Sequence, residues 1–251
     1  MKRATTEDAF VVLGPRSLVP VVLTCEHASH RVPSIPAADP DERRILRTHW
    51  GWDPGAWQIT RELSARLRTS AVGGKWSRLW IDLNRRVDDP TLIRSSADGV
   101  ELSWNAALNP VRREHRVLTY HAPFHEMIDR LIVRRMVRGL RPLLFAVHTF
   151  TASFEGRSRR FDAGVLYERD RGLAQILGRR LRGAGLRVRY NEPYSGMAGM
   201  MYSIDRHGKH HGLPCLELEL NQGLFEERSA AARLGAVVEV GIRELLEKIA
   251  R

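Results

Sequence analysis

Short apolar runs that break abruptly into polar residues, separated by stretches of helical spacing, constrain this chain more than any other feature. Val21-Val22-Leu23-Thr24 follows Pro20 and opens into Cys25-Glu26-His27-Ala28-Ser29-His30. Leu79-Trp80-Ile81-Asp82-Leu83 gives way to Asn84-Arg85-Arg86, and Leu143-Leu144-Phe145-Ala146-Val147 to His148-Thr149-Phe150. Runs of this length, β-branched or aromatic and bounded by proline or polar residues, read as buried strands. Residues 161–167, 186–190 and 214–220 extend the series. Between the strands, Asp39 or Asp41 can cap a helix carrying Ile45, Leu46 and Trp50, and Asp53-Pro54 can start another carrying Ile59, Leu63 and Leu67. Further helices are expected over 122–138, over 173–181 before Gly183 and Gly185, and at the C-terminal end as far as Ala250. Parallel neighbours need helical crossovers, so this alternation predicts an α/β architecture with a mixed, largely parallel sheet.

Composition removes several classes of function. With 43% hydrophobic and 27% charged residues, the 251-residue chain is not a long disordered segment, and no repeat or linker divides it, so one domain over 1–251 is expected. No run approaches the roughly 18 apolar residues of a membrane helix, and the first ten residues lack an apolar core, which predicts a soluble, cytoplasmic protein. Two distant cysteines, Cys25 and Cys215, exclude a disulfide scaffold or a cysteine zinc cluster. The net charge of +11 raises nucleic acid as a partner. However, the arginines scatter along helices, as at Arg134, Arg135 and Arg138, without interleaved aromatics or a helix-turn-helix or zinc-finger spacing. No nucleic-acid or membrane partner is expected; an anionic small molecule fits the charge.

Ligands of open α/β sheets bind beyond the carboxyl ends of strands, where His27, Asn84-Arg85, His148 and Glu219 are all expected. His27 and His148 each leave an apolar run. Taken singly, each is as well explained by a satisfied structural histidine as by a metal ligand. Asp53, in Trp52-Asp53-Pro54-Gly55-Ala56, can cap a helix or ligate a metal. Glu217 and Glu219 alternate with Leu216, Leu218 and Leu220, which sends both carboxylates to one face. A carboxylate at a buried strand end suits a general base, and Glu219, nearer the end, is favoured over Glu217. Arg85 offers a planar fork for a carboxylate, or is one more surface arginine. The cluster Arg206-His207-Gly208-Lys209-His210-His211 can bind metal or anion, or form a solvated loop, and His121 and His125 stand one helical turn apart. HExxH, GxSxG, a Walker loop and GxGxxG are all absent, which weakens zincin, serine-hydrolase, NTPase and dinucleotide readings.

The residues resemble the N-formylglutamate amidohydrolase family, which includes the deformylase of histidine degradation. The resemblance runs in order through Cys25-Glu26-His27-Ala28-Ser29, the Trp52–Ala56 box, Trp80-Ile81-Asp82-Leu83-Asn84-Arg85 and His148-Thr149-Phe150-Thr151. It continues through Asn191-Glu192-Pro193-Tyr194-Ser195-Gly196, Arg206-His207-Gly208 and Leu218-Glu219-Leu220-Asn221-Gln222. It implies a three-layer α/β/α sandwich of the phosphorylase/hydrolase-like kind, related to zinc carboxypeptidases and zinc-dependent cell-wall amidases, with one zinc at the strand ends. Carried over by position, it implies His27, Asp53 and His148 as ligands, with Glu26 or His49 as substitutes, and Glu219 as the catalytic acid/base. Arg85, with Asn84 and Arg206, would hold a substrate carboxylate. The implied activity is zinc-dependent hydrolysis of the amide of an N-acyl amino acid such as N-formylglutamate. A peptidoglycan or peptide amidase, or a binding protein that keeps only the cleft, are the rival readings. The motif Cys-Glu-His-Ala-Ser departs from the family's Pro-His-Ser/Ala-Gly, and the substrate-facing loops are trimmed, which leaves the substrate open. A homodimer is expected from the habits of soluble enzymes.

Overall fold

Seven strands hydrogen-bond into one sheet: β1 (Phe10–Leu13), β2 (Val21–Cys25), β3 (Ser70–Gly74), β4 (Leu143–Phe150), β5 (Ala163–Leu166), β6 (Val188–Tyr190) and β7 (Cys215–Asn221). Their order is β1-β3-β2-β4-β7-β5-β6. The four central strands β3, β2, β4 and β7 are mutually parallel, while β1 pairs antiparallel with β3 and β5 antiparallel with β7. The expected mixed, largely parallel sheet is therefore observed. The computed structural model of the chain describes residues 9–33, 39–106, 108–227 and 229–251. The first eight residues and part of the proline-rich stretch before Pro40 lie outside the described residues.

Helices cover both faces. The principal ones are α1 (Pro40–Leu46), α2 (Ala56–Leu67), α3 (Pro110–Arg116), α4 (Ala122–Met136), α5 (Arg171–Gly183), α6 (Tyr202–His211) and α7 (Ala230–Ala250). Strand alternation assigns the faces. Val21 and Leu23 of β2 pack with Ile59 and Leu63 of α2, Leu177 of α5 and Val238 of α7, whereas Val22 between them packs with Phe124 and Ile128 of α4 and Ile204 of α6. Three layers result, helix over sheet over helix. No helix among the described residues is long and apolar enough to cross a membrane.

Two corrections bear on the site. Residues 79–83, expected as a strand, are a succession of turns: Trp80 and Ile81 donate to the Ser77 carbonyl and Asp82 to that of Leu92. Leu79, Ile81 and Leu83 are all buried, but each enters a different apolar cluster, so their alternation does not mark one sheet face. The strand in that region is β3, whose Ser-Ala-Val-Gly-Gly sequence carries little strand propensity. Its glycines are needed for close packing, since a Cβ on Gly73 would strike the Trp57 ring. The second correction is α1, which is capped by Asp39 in a capping box with Glu42 and stops at Leu46, short of Trp50.

Candidate metal centre

The parallel strands β2, β3, β4 and β7 deliver their carboxyl ends to one edge, and a cavity of about 270 Å³ opens there. His27 stands two residues beyond β2, and His148 lies near the end of β4. Asp53 sits in the turn before α2. It is not the helix cap: Gly55 occupies that position in the left-handed conformation, φ 90°, with no side-chain cap bond. The Asp53 carboxylate is thus free to turn toward the strands, and its own backbone N–H donates to the His27 carbonyl at 3.0 Å.

Asp53 Oδ2 lies 3.3 Å from His27 Nδ1 and 2.8 Å from His148 Nδ1. The three ligand atoms lie within 4.8 Å of one another, in a group that could hold a metal ion. The far nitrogen of each ring faces a carboxylate: His27 Nε2 lies 2.7 Å from Asp82 Oδ1, and His148 Nε2 lies 3.0 Å from Glu26 Oε2. A carboxylate only accepts, so with a metal at the centre each Nε2 would carry the hydrogen toward its carboxylate and each Nδ1 would offer its lone pair to the ion. The donor set fits a divalent first-row metal of the zinc type. Burial and the Arg78 charge push His27 down to about 4, so its ring is neutral. His148 is pushed up to about 10: burial opposes, but Glu217, Glu26 and Glu219 prevail, so without a metal its imidazolium is the cation among these carboxylates.

Glu217 and Glu219 both line the cavity, while Leu216, Leu218 and Leu220 pack on the opposite side of the sheet. Burial raises Glu217 to about 8 against the pull of His148, and burial also raises Glu219. Glu219 Oε2 is buried without a hydrogen-bond partner. Of the suggested substitute ligands, Glu26 lies behind His148 rather than at the centre. His49 lines the cavity in contact with the rings of Trp50 and Phe154.

Arg85 and Asn84 reach the same cavity from the turn-rich segment that follows β3. The Arg85 Nε has no hydrogen-bond partner. The Asn84 amide is committed at both ends, donating to the Met200 carbonyl at 3.2 Å and accepting from Ser203 N at 2.8 Å. Arg206 is not brought to the cavity: its segment is the helix α6 rather than a loop, and its side chain is exposed there, outside the lining.

The sequence model of the N-formylglutamate amidohydrolase family matches residues 19–226. The chain belongs to that family. An N-formylglutamate deformylase of Pseudomonas aeruginosa is 26% identical over 259 residues, 93% of this chain and 94% of the relative. Among solved structures, the gene product Atu2144 of Agrobacterium tumefaciens superposes with a TM-score of 0.88 at 26% identity over 98% of each chain. The N-formylglutamate amidohydrolase of Ralstonia eutropha JMP134, at 20% identity, shares the fold with a TM-score of 0.67 over 97% of each chain.

Sequence reasoning missed one residue that this member of the N-formylglutamate amidohydrolase family places at the centre. The partly buried Arg78 guanidinium pairs with Asp53 Oδ1, the carboxylate oxygen turned away from the histidines. In a chain this rich in arginine nothing singles out Arg78 except its flanks, Trp76 and Trp80. In the sequence Asp82 stands out only as part of a motif. Its contact with His27 Nε2 gives it a place of its own, and the hydrogen bond to His27 and the Arg78 charge hold its carboxyl well below the usual range despite burial.

Proposed function

We propose that this chain is a metal-dependent hydrolase of the amide bond in an N-acyl amino acid, with N-formylglutamate as the first substrate to test. The observation that carries the proposal is the convergence of His27 Nδ1, His148 Nδ1 and Asp53 Oδ2 beside a buried carboxylate with an uncommitted oxygen. These three residues would hold the metal, with zinc the best fit to two imidazoles and one carboxylate. Such an ion supplies Lewis-acid polarisation of the scissile carbonyl and makes water more acidic. Glu219 takes the proton of the attacking water and returns it to the departing nitrogen; the raised affinity of its carboxylate for a proton suits both transfers. Arg85 grips the substrate carboxylate through its fork and so fixes the amide relative to Glu219. Asn84 holds the cavity wall to the start of α6. The family and the deformylase relative support the reaction class.

Metal analysis of the purified protein and of His148→Ala, together with formate release from N-formylglutamate, tests this reading. One equivalent of metal that is lost in the variant, with formate released by the wild type, is the expected result. Retention of a full equivalent by His148→Ala would overturn the ligand assignment. Metal without formate, across a panel of N-acyl amino acids, would overturn the reaction.

A further inference from the structure

Residues 75–90 form one wall of the cavity, bearing Arg78, Asp82, Asn84 and Arg85, yet contain neither helix nor strand. An irregular segment has no ladder to satisfy its backbone, so buried carbonyls must find donors elsewhere. Two partly buried carbonyls, of Trp80 and Arg85, and the exposed one of Val87 are taken by side chains of a single helical run. Arg113 donates to the Val87 carbonyl, Arg116 Nη1 to that of Trp80 at 2.8 Å, and His121 Nε2 to that of Arg85 at 2.9 Å.

Arg116 and His121 are five residues apart. At 3.6 residues per turn, positions five apart diverge by about 140° around a helix and could not both face the same segment. Between α3 and α4, however, Val117–His121 is a π-turn in which the Ala122 N–H reaches back to the Val117 carbonyl. Hydrogen bonds closed at i→i+5 bring residues five apart to one side, and such turns recur at functional sites. Behind His121 the polar packing continues inward. The His121 and His125 ring centroids are 4.4 Å apart, His125 Nδ1 lies 3.0 Å from His207 Nε2, and His207 Nδ1 lies 2.7 Å from Asp129 Oδ1. All three imidazoles are buried. Buried rings of this kind are costly unless hydrogen-bonded; this column is bonded at both ends, to a carboxylate and to the Arg85 carbonyl, while His125 Nε2 within it has no hydrogen-bond partner among the described residues.

We propose that His121, aimed by the π-turn, is a positioning residue for substrate recognition: it fixes the Arg85 backbone so that the Arg85 guanidinium meets the substrate carboxylate. The proposal rests on the role given to Arg85 above; the hydrogen bond to its carbonyl does not.

The test compares His121→Phe, which keeps a ring and loses the donor, with His121→Gln, which keeps a donor of similar reach. Formate-release kinetics, metal content and deuterium exchange of peptides spanning residues 80–88 are measured on each. In His121→Phe, KM for N-formylglutamate is expected to rise about tenfold with kcat within about twofold of wild type. Metal content should stay unchanged and exchange in the 80–88 peptides should quicken. His121→Gln should recover both KM and protection. Unchanged KM and exchange in the Phe variant would overturn the proposal, as would loss of metal and kcat together, or a Gln variant as impaired as Phe. If His121→Phe does not fold, His121→Asn, polar but too short to reach, is measured in the same way with the same expectations. Absence of formate release by the wild type would sink the hydrolase reading and the recognition role together. The exchange rates would still decide whether His121 holds the wall.

Discussion

Asp82 Oδ1 lies 2.7 Å from His27 Nε2, on the opposite side of the imidazole from Asp53. The ring is held between two carboxylates that come from separate loops, one from the candidate metal group and one that would fix its tautomer. Partners of this kind commonly carry about 10–100-fold in metal affinity. Asp82→Asn should therefore weaken metal binding by about that factor without abolishing it, as read by competition with a chelator. Wild-type affinity would show that the ring is held by packing alone.

Glu219→Gln removes the base but keeps the side chain's shape. A fall in kcat of about 10²–10⁴-fold with metal content preserved is expected. Glu217→Gln, whose carboxylate lies 3.7 Å from His148 Nε2, should lose less than about tenfold. Parallel turnover and metal measurements separate the two, and equal losses would make the pair a shared base.

Arg85→Lys keeps the charge and loses the fork. KM for an N-formyl amino acid should rise about tenfold, whereas exposed Arg206→Ala should leave it unchanged. The comparison is strongest against the corresponding substrate amide, which lacks the carboxylate and should not distinguish Arg85 from Lys.

Gly164 of β5 faces Glu219 of β7 in register, and a Cβ there would collide with the Glu192 carbonyl. Gly164→Ala should cost about 1–3 kcal/mol of stability by overpacking, visible in urea unfolding. A neutral outcome would mean that the 191–193 turn yields.

Asp129 supplies the pH-dependent prediction. Burial raises its pKa, but the hydrogen bonds and charges of His207 and His211 outweigh burial and bring it from 3.8 down to about 2. A depressed folded-state pKa stabilises the fold above the ordinary value and loses that contribution as pH falls through about 4 toward 2. Because the carboxylate is about a third exposed, the contribution is discounted to about 1 kcal/mol. Asp129→Asn should be less stable than wild type by that amount at pH 7 and nearly equal to it at pH 2. A constant gap would assign the difference to packing.

The parts of this molecule legible in its sequence are those where one residue type does one job at a fixed period. β2, β4, β7 and the helices α2, α4, α5 and α7 follow from apolar spacing, and the Glu217/Glu219 face follows from alternation. Two kinds of feature stayed hidden. β3 carries weak propensity and exists because the sheet offers it partners, so nothing local reveals it, whereas the Phe-Val-Val-Leu run of β1 does carry strand propensity and is hidden only by its shortness. Residues 79–83 mislead for the converse reason: large apolar side chains pinned in turns mimic a strand. The candidate ligand set is reachable in full only through the family resemblance, since Asp53 as cap and Asp53 as candidate ligand look alike until Gly55 is seen to cap the helix. Arg78 and His121 act through partners far away in the chain, and spacing encodes neither contact.

The alternation on β7 ties chemistry to folding in a way that limits how this protein can change. Because side chains repeat every two residues, sliding β7 by one position against β4 and β5 would turn Leu216, Leu218 and Leu220 into the cavity and drive Glu217 and Glu219 into the apolar layer beneath α2, α5 and α7. A single inserted or deleted residue there would remove the two cavity carboxylates and the core at once. New specificities in such a chain have to come from the walls of the cavity, where turns absorb changes in length, and not from the strand that carries this carboxylate pair.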